Sequence, residues 1–132
     1  GKNVVFGSYA RSDGYNTIGS FTHIGQYVML AQNNEIGKYC FVGGHSHFSN
    51  NPYIIQDARY DYFGSKIKNY VRIGLNCTIL SGITIETNAF IGAKSLINID
   101  IPKNFLAYGS PIKKIRKLTK KEIIDYKKST NS

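Results

Sequence analysis

The sequence is short of several things, and each shortage closes off a class of protein. It has no tryptophan, one methionine, three prolines and two cysteines in 132 residues. Two cysteines, Cys40 and Cys77, do not make the framework of a disulfide-stapled secreted fold. They read as small buried hydrophobes in a reducing compartment. No Cys stands at ligand spacing with the three histidines, so no metal is expected. No apolar run approaches the roughly 20 residues that cross a membrane, and no signal-peptide pattern opens the chain. A soluble, cytoplasmic protein without a membrane span is expected. Neither standard glycine-rich phosphate loop is present. Acidic residues are few, 8 against 17 Lys and Arg, for a net charge of +9. From Lys103 onward nine residues are basic and only Glu122 and Asp125 are acidic. An anionic partner follows, for which a phosphorylated cofactor serves as well as nucleic acid. Nucleic acid is disfavoured, because aromatic and basic residues are not interleaved.

What is abundant is a six-residue rhythm. From Ile67 the chain reads IKNYVR, IGLNCT, ILSGIT, IETNAF, IGAKSL, INIDIP. Isoleucine opens every block, and Val71, Cys77, Ile83, Ala89, Ser95 and Ile101 follow four places later. From Ile18 the same period gives IGSFTH, IGQYVM, LAQNNE, IGKYCF, VGGHSH, with Phe6 and Ser12 as weaker earlier openers. An α-helix repeats at 3.6 and a two-faced strand at 2. A period of six fits a β-helix, in which each block is a short strand plus a turn and three blocks close one triangular coil. The openers point inward. Gly or Ala follows the opener at seven blocks, from Gly19 to Gly92, where a tight corner with positive φ is expected.

The rhythm breaks over 48–66 and resumes one residue out of phase. This stretch holds Asn50, Asn51, Gln56, Asp57, Arg59 and Asp61 with five aromatics, Tyr53 among them. It reads as a loop leaving the coil, either covering its side or contacting a substrate. After Ile101-Pro102 a last strand ends at Tyr108, and Gly109-Ser110-Pro111 makes a turn. Thr119 and Glu122 form a capping box for a short helix from about Lys120 to Lys128, expected to cover the open end of the stack. The whole is one all-β domain over 1–132, with coils at about 6–47 and 67–108, the loop 48–66, and a tail and helix over 109–132.

Three histidines are candidates for chemistry. His45 and His47, two apart, would share one side of a strand. A zinc site there needs a third ligand, and His23 lies on another face. Either His45 or His47, standing where the coil gives way to the loop, is placed to act as a general base near neutral pH.

IGLNCTILSGITIETNAFIGAKSLINIDIPKNFLAYGSPIKKIRK resembles the C-terminal half of the hexapeptide-repeat acyltransferases, and IGKYCFVGGHSH followed by a loop is similar to their sugar O-/N-acetyltransferase and xenobiotic acetyltransferase branch. The resemblance runs from Ile18 to Lys117. It implies a left-handed parallel β-helix, a homotrimer with active sites at subunit interfaces, and direct transfer of acetyl from acetyl-CoA to a sugar hydroxyl or amine in polysaccharide synthesis. His47 closes the block before the loop and matches the catalytic position, with His45 as the alternative. Gly74, Ser81, Gly82, Gly92, Ala93 and Ser95 match the pantetheine track. Pro111, Lys113, Lys114, Arg116 and Lys117 match the tail at the nucleotide end. Asn50, Asn51, Tyr53, Asp57, Arg59 and Asp61 would meet the acceptor. The sequence departs from the family at Arg72, where relatives often carry Trp, at Glu86 after its opener, and at Lys94. Other readings are an antibiotic acetyltransferase, a γ-type carbonic anhydrase on the same fold, and a non-catalytic β-helix trimer.

Overall fold

Two residues of strand, then a corner, recur along the chain. A computed structural model describes residues 1–49 and 64–130. The first eight strands are β1 Val5–Phe6, β2 Arg11–Ser12, β3 Thr17–Ile18, β4 His23–Ile24, β5 Met29–Leu30, β6 Glu35–Ile36, β7 Phe41–Val42 and β8 His47–Phe48. After the interruption come β9 Lys66–Ile67, β10 Arg72–Ile73, β11 Thr78–Ile79, β12 Thr84–Ile85, β13 Phe90–Ile91 and β14 Leu96–Ile97. The longer strands β15 Phe105–Tyr108 and β16 Lys113–Lys117 precede helix α1, Lys120–Thr130. Strands stack in parallel on three faces. The first face runs β1-β4-β7-β10-β13-β15-β16, the second β14-β11-β8-β5-β2, and the third β12-β9-β6-β3. The result is the left-handed parallel β-helix implied by the repeat and its resemblance.

The second residue of each short strand is the block opener, and it points inward. Every opener from Ile24 to Ile97 is at most 4% exposed, so the repeat positions and the core are the same residues. The position four places on is also internal. Where it is polar, its side chain is paired: Ser46 Oγ donates to Gly74 O and accepts from Cys77 N. Buried polar groups are expected to be paired in this way. Cys40 and Cys77 occupy such positions as free, buried thiols. Burial pushes the Cys40 thiol up to about 11.

The glycines after the openers have a different reason from the one expected. Positive φ falls two residues later, on Phe21, Tyr27, Asn33, Tyr39, His45, Tyr70, Asn76, Asn88 and Lys94. The glycines instead permit close approach between coils. A Cβ on Gly43 would fall 2.5 Å from the carbonyl carbon of Gly74, and one on Gly74 2.6 Å from Ala93 N. The left-handed corners are supported by ring stacking from coil to coil. Phe21, Tyr39 and Tyr70 stack at 5.1 and 4.9 Å, and Tyr9, Tyr27 and His45 at 5.2 and 4.8 Å. These separations follow the spacing of paired strands, and each aromatic pair offsets part of the 1–2 kcal/mol strain of a left-handed corner. Gly43→Ala is therefore expected to lower unfolding free energy by about 1–3 kcal/mol through overpacking. Gly82 has φ +75 with nothing near its Cβ position, so Gly82→Asn should be near neutral. Denaturant midpoints of the two variants check this.

The interruption is shorter than the loop expected over 48–66. Phe48 is fully buried in β8, and Lys66 opens β9. The chain is still tied to the coil at Ser49, whose N–H donates to Ile79 O, and is tied again at Ser65, whose N–H donates to Asn34 Oδ1. Asn50, Asn51, Tyr53, Gln56, Asp57, Arg59 and Asp61 lie outside the described residues.

The C-terminal segment also differs. The basic tail is a strand: β16 pairs antiparallel with β15 at the end of the first face. The capping box forms as expected, with Glu122 N–H donating to Thr119 Oγ1 and Thr119 N–H to Glu122 Oε1. The helix does not cover the end of the stack. It lies back along the first face, where Tyr126 Oη donates to Tyr39 O. Arg72 explains that position, because its guanidinium lies over the rings of Phe41, Phe90 and Tyr126.

Arg116 forks onto both oxygens of Glu122 at 2.8 and 3.0 Å. That bond, with the capping N–H, holds the Glu122 carboxyl at about 2. A depressed carboxylate contributes stability above its unfolded pKa and loses it as pH falls through the folded one. The helix is thus expected to keep its cap from neutral pH down to about 4.5 and to fray between 4.5 and 2. Amide exchange in α1 measures this, and Glu122→Gln should flatten the profile.

Candidate functional site

The three histidines occupy three different environments. His47 opens β8 on the second face, and its exposed side chain points out of the coil. Its backbone N–H donates to Cys77 O at 2.8 Å. Its neighbours above and below are Met29 and Thr78, and Thr78 is followed by Leu96 one coil on. No group among the described residues hydrogen-bonds the His47 ring.

His45 does not share a strand face with it, contrary to the two-apart reading. It sits in the preceding corner at φ 62 with its ring stacked on Tyr27. His23 is on the first face, tilted against Phe41 at 5.2 Å. Among the described residues no three His, Cys, Asp or Glu are grouped to hold a metal ion. A thiol nucleophile is also excluded at Cys40, since a thiol at about 11 carries almost no thiolate near neutrality.

The corner before His47 continues down the coil as a column of small residues. Gly74 and, one coil on, Gly92 and Ala93 lie there, with backbones in close approach. Tyr108 abuts Gly92, and Lys113 pairs with Tyr108 at the same end of the β15–β16 hairpin. The structure thus brings Gly74, Gly92, Ala93 and Lys113 to one corner, the one that leads into the His47 face. It does not bring every expected residue there. Ser81 and Gly82 are at the next corner, where Gly82 and Gly64 line a shallow cleft. Ser95 is 2% exposed, with its hydroxyl donating to Gly92 O and accepting from Gly109 N. Pro111 follows a cis bond from Ser110 in the hairpin turn. Lys114 and Lys117 are exposed on β16, and Arg116 is engaged by Glu122.

Sequence reading missed Thr78 and Asn76 beside the histidines. The signal was available: one coil plus the inserted stretch brings Thr78 under His47. A cavity of about 410 Å³ lies elsewhere, between α1 and the first face, and holds none of the expected site residues. No described helix is long and apolar enough to cross a membrane.

No family model matches the chain. It is 40% identical over 60 residues to galactoside O-acetyltransferase of Escherichia coli, covering 46% of this chain and 30% of that protein. It is 27% identical over 141 residues to chloramphenicol acetyltransferase of Agrobacterium fabrum, covering 87% and 68%. It is 29% identical over 131 residues to the mitochondrial γ carbonic anhydrase 2 of Arabidopsis thaliana, covering 94% and 44%. The solved maltose O-acetyltransferase of Clostridium difficile superposes with a TM-score of 0.73 at 26% identity, over 89% of this chain and 67% of that one. The chain spans less than half the length of most of the curated relatives it matches, 25% to 44% of the first three.

Proposed function

We propose that this chain is a hexapeptide-repeat acetyltransferase, like the proteins it resembles, and that it moves an acetyl group from acetyl-CoA to a hydroxyl or amine of a sugar or sugar-containing acceptor. The observation that carries the proposal is His47. Of the three histidines it is the one turned outward at the strand from which the coil is interrupted.

In the proposed reaction His47 takes the acceptor's proton as the acceptor oxygen or nitrogen attacks the thioester carbonyl. The tetrahedral oxyanion is held by a backbone N–H. Its collapse expels the CoA thiolate, which receives the proton from His47. No acyl-enzyme forms. The pantetheine arm would follow the corner of Gly74, Gly92 and Ala93, and Lys113 would meet phosphate. Ser81, Gly82, Lys114, Arg116 and Lys117 belong to the proposal only if CoA spans both corners or reaches a second subunit. A homotrimer with sites between subunits supplies that surface, and an orienting partner for the second nitrogen of His47. A cytoplasmic location completes the proposal.

The test is calorimetric binding of acetyl-CoA to the wild type and to Lys113→Ala, whose side chain is exposed on β16. Micromolar binding by the wild type and a large loss in the variant support the track, whereas no binding by the wild type rejects the function. The γ carbonic anhydrase reading is favoured by the Arabidopsis likeness. It needs zinc histidines, and His23, His45 and His47 lie on different parts of the coil. Metal analysis with a CO₂ hydration assay decides it.

A further inference from the structure

We infer that Thr78 is a second catalytic residue of the proposed transfer, its hydroxyl donating to the thioester carbonyl as that oxygen becomes an oxyanion. The inference rests on the acetyl-transfer reading of His47 and adds the group that meets the other reactant. Thr78 pairs in register with His47 on the second face, one coil on. Paired strands lie about 4.7–4.9 Å apart, so the hydroxyl stands beside the ring. Thr78 is exposed and faces outward, while the next residue, Ile79, is fully buried in the core.

The two sides of His47 are not alike. The outward column of the second face runs Arg11, Met29, His47, Thr78, Leu96. Thr78 shares its coil with Gly74, at the corner proposed for the pantetheine arm. That corner continues through Gly92 and Ala93 toward Lys113, away from Met29. The thioester therefore reaches His47 from the Thr78 side, and the acceptor from the Met29 side. The side chains of Met29 and Leu96 donate no hydrogen bond, so the column offers the carbonyl one hydroxyl, that of Thr78.

Neighbouring donors are already engaged. The backbone N–H of Asn76 donates to Gly44 O at 2.9 Å, that of Cys77 to Ser46 Oγ at 3.2 Å, and that of Thr78 to Ser95 O at 2.9 Å. The inward hydroxyls of Thr22, Ser46, Ser65 and Ser95 all donate to backbone carbonyls. The Thr78 hydroxyl pairs with none of the described residues. Thr17 and Thr84, which also open short strands, stand on the third face, away from His47. In the transfer, the acceptor oxygen or nitrogen bonds to the carbonyl carbon and the C=O π pair moves onto oxygen. Thr78 and the backbone N–H donate to that oxygen and keep their protons. The pair then re-forms C=O, the C–S bond breaks, and the thiolate takes the proton held by His47.

The experiment reads the carbonyl itself. Acetyl-CoA carrying ¹³C at the thioester carbonyl is bound, without acceptor, to the wild type, Thr78→Val and Thr78→Ser. Valine keeps the branched shape that suits a strand and removes the hydroxyl. The bound resonance should move downfield of the free one in the wild type and in Thr78→Ser, and return close to it in Thr78→Val. With maltose, lactose, glucosamine and chloramphenicol offered as acceptors, Thr78→Val should lower kcat by about tenfold or more with little change in KM. Thr78→Ser should retain most of the activity, and the His47 ring should titrate at the same pH in all three proteins. No bound ¹³C signal in the wild type rejects acetyl transfer, and this role with it. A bound signal at the free position, or one that Thr78→Val leaves shifted, rejects Thr78 alone. So does a smaller kcat loss, or a displaced His47 titration, which would make Thr78 a positioning residue acting through His47.

Discussion

Replacing His47 with alanine is expected to lower kcat for acetyl transfer by about a hundred- to ten-thousand-fold, the usual contribution of a positioned general base. The fold should not suffer. His47 is exposed, and its link to the next coil is a backbone bond to Cys77 that alanine keeps. Acetyl-CoA affinity should change little, because in the proposed arrangement His47 meets the acceptor and not the pantetheine arm. The companion variant is His45→Asn. Asparagine accepts the left-handed corner at φ 62, so only the stack on Tyr27 is lost, at about 0.5–1.5 kcal/mol of stability. It should retain most of its kcat. If instead His45→Asn is inactive and His47→Ala active, the base is His45. Steady-state kinetics on both, with melting curves, separates these outcomes.

Ile79→Ala is expected to cost about 2–5 kcal/mol, the range for truncating a fully buried aliphatic side chain. Ile79 is 0% exposed and pairs with Phe48 on one side and Ile97 on the other. It lies on the inner side of the strand whose outer side carries Thr78, the neighbour of His47. The cavity would open directly behind the site. In a solenoid each coil contacts only its neighbours, so loss of one layer uncouples the coils on either side. Chemical denaturation should show a lower midpoint, and a lower slope if the coils cease to unfold together. A loss below about 1 kcal/mol would mean that the inward layers are not the main source of stability.

The inward layers were legible because a hexapeptide period has one physical meaning along a triangular coil. Isoleucine at 67, 73, 79, 85, 91 and 97 forces one residue per side to the axis, and all six are buried. The capping box was legible because it is local: Thr119 and Glu122 need only each other. The corners were not. The rule that glycine marks positive φ fails here because Gly43 is selected by its distance to Gly74 one coil away. That is a contact between residues far apart in sequence, and a six-residue window does not contain it. The docking of α1 escaped for a similar reason, since it depends on Arg72, Phe90 and Tyr126 meeting across the first face. PIKKIRK reads as a basic tail at the nucleotide end and not as a strand, and its pairing with β15 is set by the turn through Gly109, at φ 120, and Pro111. At the candidate site, His47 was legible as the last residue of a block before a break. Its separation from His45 became visible only when His45 proved to be the corner.

The most direct measurement is thiol release from acetyl-CoA by the purified protein against a panel of nucleotide sugars, simple sugars and chloramphenicol, with acetylated products identified by mass spectrometry. The account predicts CoA thiol and acetylated saccharide in equal amounts with at least one sugar, and neither with His47→Ala. Thiol release with no sugar in the panel, alongside zinc-dependent hydration of CO₂, would contradict it.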